Sequence, residues 1–118
     1  MASLVGAFAA SHGPLIVREW QAEPAEQKSR LSAAFRELGR RLMAAKPDVL
    51  IVVSPDHWSN FFLDNIPTVC IGVGETHEGP PEPWMKGFPY RELAGHPQLG
   101  MHIASTALGQ GFEPSITQ

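Results

Sequence analysis

The chain has 118 residues, 43% hydrophobic and 18% charged, with a formal net charge of -3 and a pI near 5.9. That is the make-up of one ordinary soluble domain and excludes a disordered or fibrous chain. The absence of a Lys/Arg cluster argues against nucleic-acid and anionic-membrane partners. Its single cysteine, Cys70, lies in an apolar run and has no internal disulfide partner, which suits a thiol in a reducing cytoplasm. No apolar run approaches the roughly 18 residues needed to cross a membrane.

In chain order, Leu4 to Ala10 is a short apolar run stopped by Ser11-His12-Gly13-Pro14, the pattern of a strand buried on both faces. From Pro24 to about Ala45 the period changes. Leu31, Phe35, Leu38 and Leu42 recur at helical steps, with Glu26/Arg30 and Glu37/Arg41 as acid-first pairs on the outer face. Lys46-Pro47-Asp48 stops this helix. Val49 to Val53 is then uniformly apolar and rich in β-branched residues, as in a central parallel strand, and ends at Ser54-Pro55-Asp56-His57. Strand, helix and strand this close in sequence predict a right-handed βαβ crossover.

Val69 to Val73 predicts a third strand. Residues 74–96 show no periodic element and are expected to be a binding loop. A last helix is expected from Pro97 to about Gln110, burying Leu99, Ile103 and Ala107 and ended by a left-handed Gly111, with a further strand approached after Phe112. The fold class expected is α/β, a mostly parallel sheet flanked by helices.

His12 and His57 each follow the carboxyl end of an expected strand, where ligands bind in open α/β sheets. Neighbouring strands lie about 4.8 Å apart, so two imidazoles carried there can converge on one ion. Two histidines with a carboxylate are the donor set of non-haem iron(II) oxygenases, although imidazole also suits zinc. Taken alone, either histidine is more often a loop hydrogen-bonding residue than a ligand, and only the matched placement raises the pair. His96 is expected to lead into the last helix and His102 to lie on its surface, leaving His77 as the other pocket candidate. Asp56 is a candidate to orient an imidazole but is read mainly as a turn aspartate, and Glu75 and Glu78 are candidate carboxylate ligands read mainly as solvated residues of the loop. Trp58, Phe61, Phe62 and Trp84 are equally candidates for a pocket wall and for plain packing. Gly72-Val73-Gly74 lacks the third glycine of a dinucleotide fingerprint, and neither Cys70, Ser54 nor Ser59 stands in a nucleophile motif.

Three segments together resemble a known family: Ala7-Phe8-Ala9-Ala10-Ser11-His12-Gly13-Pro14, Asp48 through Trp58, and Phe61-Phe62-Leu63-Asp64-Asn65-Ile66-Pro67. They are similar to the catalytic subunit of class III extradiol ring-cleavage dioxygenases, the group of protocatechuate 4,5-dioxygenase, gallate dioxygenases and dihydroxyphenylpropionate dioxygenase. The resemblance implies that residues 1–118 are the amino-terminal part of a single catalytic α/β domain, incomplete relative to the family's. It implies an iron(II) cofactor with His12 and His57 as two ligands, and a catechol-type substrate cleaved with dioxygen. The family's glutamate ligand and acid-base histidine are expected beyond Gln118, so the 118-residue chain alone is expected to be inactive. A homo-oligomer or a companion chain is the expected assembly, in the cytoplasm. A non-catalytic interaction protein on the same scaffold, as in Memo-like relatives, and a zinc hydrolase are the alternatives.

Overall fold

The computed structural model describes residues 2–13, 19–80, 85 and 88–118. Pro14 and Trp84, named above, lie outside them. The chain divides into two compact units, Met1–Leu50 with Pro83–Phe88, and Ile51–Glu82 with Pro89–Gln118.

The first unit carries helix α1, Ala25–Ala45. Pro24, which lacks an N–H to lose, stands at its N-cap, and its carbonyl accepts the Lys28 N–H at 3.0 Å. The helix ends where Lys46 turns left-handed (φ 47°) and donates its N–H to the Met43 carbonyl. The expected apolar stripe is only half used: Leu31, Leu38 and Leu42 are half-buried and Phe35 is exposed. On the outer face Glu37 binds Arg40 twice, at 2.7 and 2.8 Å, and Arg41 at 2.8 Å. The Arg40 hydrogen bonds first, then those of Arg41, pull the Glu37 carboxyl down to about 2. Among the described residues Glu26 and Arg30 form no ion pair.

The second unit holds the sheet. Strands β1 (Cys70–Gly72) and β4 (Ser115–Thr117) run parallel, pairing Cys70 with Ser115, Ile71 with Ile116 and Gly72 with Thr117. Backbone bonds from Ser115 to Val69 and from Val73 to Thr117 extend the ladder at both ends. Between them lie β2 (Thr76–Gly79) and β3 (Arg91–Ala94), an antiparallel ribbon, and helix α2 (Pro97–Gly109), which packs on β1. A parallel pair needs such a crossover, and α2 supplies it.

Helix α2 follows its sequence signals closely. His96 is the N-cap, its Nδ1 accepting the Leu99 N–H at 3.2 Å, and Pro97 opens the helix. At the other end Gly111 is left-handed (φ 86°), and the Phe112 N–H returns to the Ala107 carbonyl. The residues that meet β1 sit one step round from the expected stripe. Gly100 and Ala104 are buried, while Leu99, Ile103 and Ala107 are half-buried. With Val73 at 5% exposure and Ala104 at 7%, the helix–strand contact forms the buried apolar core among the described residues.

The α/β class therefore holds, with a small parallel sheet and flanking helix, but the expected elements are shifted. Residues 4–10 and 49–53 form no ladder among the described residues, so the crossover predicted from them is not made there. Apolar character fits a segment for a buried strand; a strand also needs hydrogen-bonding neighbours and covered faces. Leu4 stays 87% exposed and Val53 93%. The β2–β3 ribbon is the opposite case, a paired element that the sequence reading took for loop. Its eight residues are almost wholly exposed, so no alternation of apolar and polar residues announces them. No helix among the described residues is long and apolar enough to cross a membrane.

The core rests on a missing side chain. A Cβ on Gly100 would stand 2.8 Å from the Gly72 carbonyl oxygen and 3.1 Å from Val73 Cγ1, whereas one on Gly39 or Gly109 would meet nothing within 4 Å. Gly100→Ala is expected to lower stability by about 1–3 kcal/mol through overpacking. Gly39→Ala, at an open helical site, is expected to raise it by about 0.5–1 kcal/mol. Urea denaturation of both variants checks the pair, and equal effects would contradict the packing described.

Candidate functional site

The two candidate metal ligands fall in different units. His12, in the first, is an exposed residue just after the apolar run 4–10, where the Gly13 N–H approaches Ser11 Oγ at 3.4 Å. His57, in the second, is an exposed residue after the run 49–53. Each follows an apolar run in the sequence, but neither run is a strand among the described residues, so the expected placement of both histidines at neighbouring strand ends is not made there.

The loop around His57 is built by its neighbour. Both carboxylate oxygens of Asp56 accept the Asn60 N–H, at 3.1 and 3.0 Å. Oδ2 also takes the Phe61 N–H at 3.0 Å, and Oδ1 the Asn60 side-chain amide at 2.7 Å. The Ser59 N–H closes onto the Asp56 carbonyl at 3.2 Å. Inside this clasp His57 (φ 54°) and Trp58 (φ 64°) are both left-handed. L-residues with a Cβ rarely adopt that conformation, and two in succession persist only where surrounding bonds impose it. Asp56 is thus the turn former the sequence reading favoured, and it sets the backbone that carries His57. These donors, the Asn60 N–H foremost, hold its carboxyl below the usual aspartate range.

The remaining candidates separate clearly. His96 caps α2 and His102 lies exposed on it. His77 lies on the ribbon, its ring against two glycines: a Cβ on Gly72 would be 3.0 Å from Cε1, and one on Gly95 3.0 Å from Nε2. Glu78 accepts a hydrogen bond from the Tyr90 hydroxyl, which raises the tyrosine's pKa, and the Glu75 carbonyl accepts the Gly95 N–H at 2.7 Å. Trp58 and Phe62 are exposed and Phe61 is half-buried. Burial pushes the Cys70 thiol up, with a smaller push from Asp56, so little reactive thiolate forms. Among the described residues no three of His, Cys, Asp and Glu gather into a metal-binding group.

Comparison with known proteins gives these positions their context. The family model for the catalytic LigB subunit of aromatic ring-opening dioxygenase matches residues 6–118, a span holding both His12 and His57. The chain belongs to that family. Similar proteins include those named 2,3-dihydroxyphenylpropionate/2,3-dihydroxicinnamic acid 1,2-dioxygenase from Escherichia coli SMS-3-5 and from the O8 and O81 strains. Each is 31% identical over 70 residues, 58% of this chain. The match spans about a fifth of those relatives' length, 21%. No solved structure matches the chain.

The Asp56 clasp carries a prediction with a definite sign. Its carboxyl is depressed in the folded state, so the stability it lends is present above its ordinary value of 3.8 and is lost as pH falls through the lower, folded value. Protection of the Asn60 and Phe61 amides, measured against the intrinsic exchange rate at each pH, is expected at neutral pH and to be lost selectively in acid. In Asp56→Ala the same two amides are expected to exchange at close to their intrinsic rate at every pH, and unchanged protection there would refute the clasp.

Proposed function

We propose that this protein acts in extradiol ring opening, cleaving a catechol-type substrate with dioxygen at an iron(II) ion for which His12 and His57 supply two ligands. The family match over residues 6–118 carries the reading, because it spans both histidines and the segments that present them. The relatives' names supply the substrate class, an aromatic ring bearing adjacent hydroxyls.

The donor set fits the ion. Neutral imidazole nitrogens are ordinary ligands for iron(II), and a facial arrangement of two histidines and one carboxylate leaves positions open. Bound there, iron(II) would draw both hydroxyls of a catechol and dioxygen to one point and let electron density pass between them. The chain's own contribution is orientation. The Asp56 clasp fixes the backbone of His57 in advance, so ordering this ligand costs less when the ion binds. Trp58 and Phe62, exposed beside it, offer aromatic surface for a planar ring. The third ligand, a carboxylate, is proposed to come from outside the described clusters, and the assembly to be a homo-oligomer or a pair with a companion chain, in the cytoplasm.

The test is anaerobic loading with iron(II), addition of catechols including 2,3-dihydroxyphenylpropionate, then oxygen, with the coloured ring-opened product followed by absorbance. The 118-residue chain alone is expected to form no product; together with the source of the third ligand it is expected to form product, and His12→Ala and His57→Ala each to lose activity and iron by more than the roughly 10–100-fold that loss of a supporting group costs. Full iron retention in both variants would remove them as ligands. Zinc-dependent hydrolysis without oxygen consumption would replace the reading altogether.

A further inference from the structure

The parallel sheet has an open edge, and the chain carries an exposed apolar run that matches it. In β4 the Ser115 N–H bonds the Val69 carbonyl and the Thr117 carbonyl accepts the Val73 N–H. The alternation of a strand therefore turns the Ile116 N–H and carbonyl to the opposite side. Among the described residues no strand pairs on that side, and all three residues of β4 are exposed. The far edge of β1 is crowded instead, since its Gly72 carbonyl oxygen lies 2.8 Å from where a Cβ on Gly100 of α2 would stand. Sheet edges are ordinarily guarded by charge. The ribbon carries Glu78, Arg91 and Glu92, whereas Ser115-Ile116-Thr117 carries none.

The matching run is Val49–Val53. Four of its five residues are β-branched, its exposure rises from 38% at Val49 to 93% at Val53, and it joins no ladder among the described residues. The run 4–10 is a poorer strand, with Gly6 at its middle and three alanines. We propose that a second copy of this chain supplies the missing strand, its residues 49–53 adding to the outer edge of β4. Every copy carries both the edge and the run, so the first copy returns the exchange and the pair closes with twofold symmetry. Charge selects the direction. With Ile51 across from Ile116, a parallel alignment sets Asp48 beside Glu113, and like charges across from one another repel; an antiparallel alignment sets Ser54 there. The pairing rests on the homo-oligomer named in the proposed function and gives it a surface.

The test is analytical ultracentrifugation of the full 118-residue chain, free of metal and substrate, across a wide range of concentration. A reversible monomer–dimer equilibrium is expected. Ile116→Pro removes the outward N–H and none of the bonds to β1, and is expected to raise the dimer dissociation constant about tenfold or more, with the Val73 and Ser115 amides still protected from exchange. Val52→Lys, a charge placed in the exposed run, is expected to do the same. A monomer at every concentration, open-ended growth past the dimer, or Val52→Lys dimerising like the native chain would each overturn the pairing. Iron and turnover do not enter the measurement, so such a result leaves the ring-opening reading to its own experiment.

Discussion

The second unit depends on the approach of α2 to β1, and that approach depends on Gly100. Helix and strand come close enough for the Gly100 Cα to face the Gly72 carbonyl directly, which brings Val73 and Ala104 out of water together. Burying a valine contributes roughly 1.5–3 kcal/mol, and in a unit with so few buried side chains that contact outweighs any single surface interaction. Sheet register and helix position are then one constraint. Moving α2 outward by a methyl group would uncover Val73, and Val73 donates the hydrogen bond to Thr117 that extends the parallel ladder.

The same contact explains why the ribbon lies where it does. Gly74 and Gly95 let the chain leave β1 and return to α2 through a narrow gap, in which a Cβ on Gly95 would run into the Gly74 carbonyl oxygen. His96 follows immediately as the N-cap, so the ribbon's exit and the start of the helix are fixed by consecutive residues. His77 fills the space that the glycines leave. The histidines thus differ by position: His96 spends Nδ1 on a helix terminus, and the His77 ring packs against Gly72 and Gly95.

Much of this was legible in the sequence. Pro24, Lys46-Pro47, His96-Pro97 and Gly111 are signals whose physics is local, a missing N–H, a left-handed residue, a capping acceptor, and each was met within a residue or two. The strand at Val69–Val73 and the approach to another after Phe112 were also read correctly, since both lie in the sheet. Leu4–Ala10 and Val49–Val53 misled because a strand's pairing is non-local: the run shows what its faces tolerate, and its neighbours are not encoded in it. The ribbon was missed for the complementary reason. Thr76-His77-Glu78-Gly79 and Arg91-Glu92-Leu93-Ala94 have poor strand propensity and no buried face, so only the backbone ladder reveals them.

At the candidate site the division is sharper still. The choice of His12 and His57 came from turn residues after two apolar runs, and neither run pairs into a strand among the described residues. What the sequence could not give is the mechanism that holds one of them. Asp56 is a common turn residue, and nothing in Ser54-Pro55-Asp56-His57-Trp58 says that its carboxylate will gather three donors from Asn60 and Phe61 and force two following residues left-handed. A conformation that is unfavourable for His57 and Trp58 is maintained by bonds neither of them makes. The strain sits on His57 and Trp58, and the residue beside them supplies a restraint. A mild substitution at Asp56 therefore reaches the backbone of His57 and Trp58 without touching either side chain.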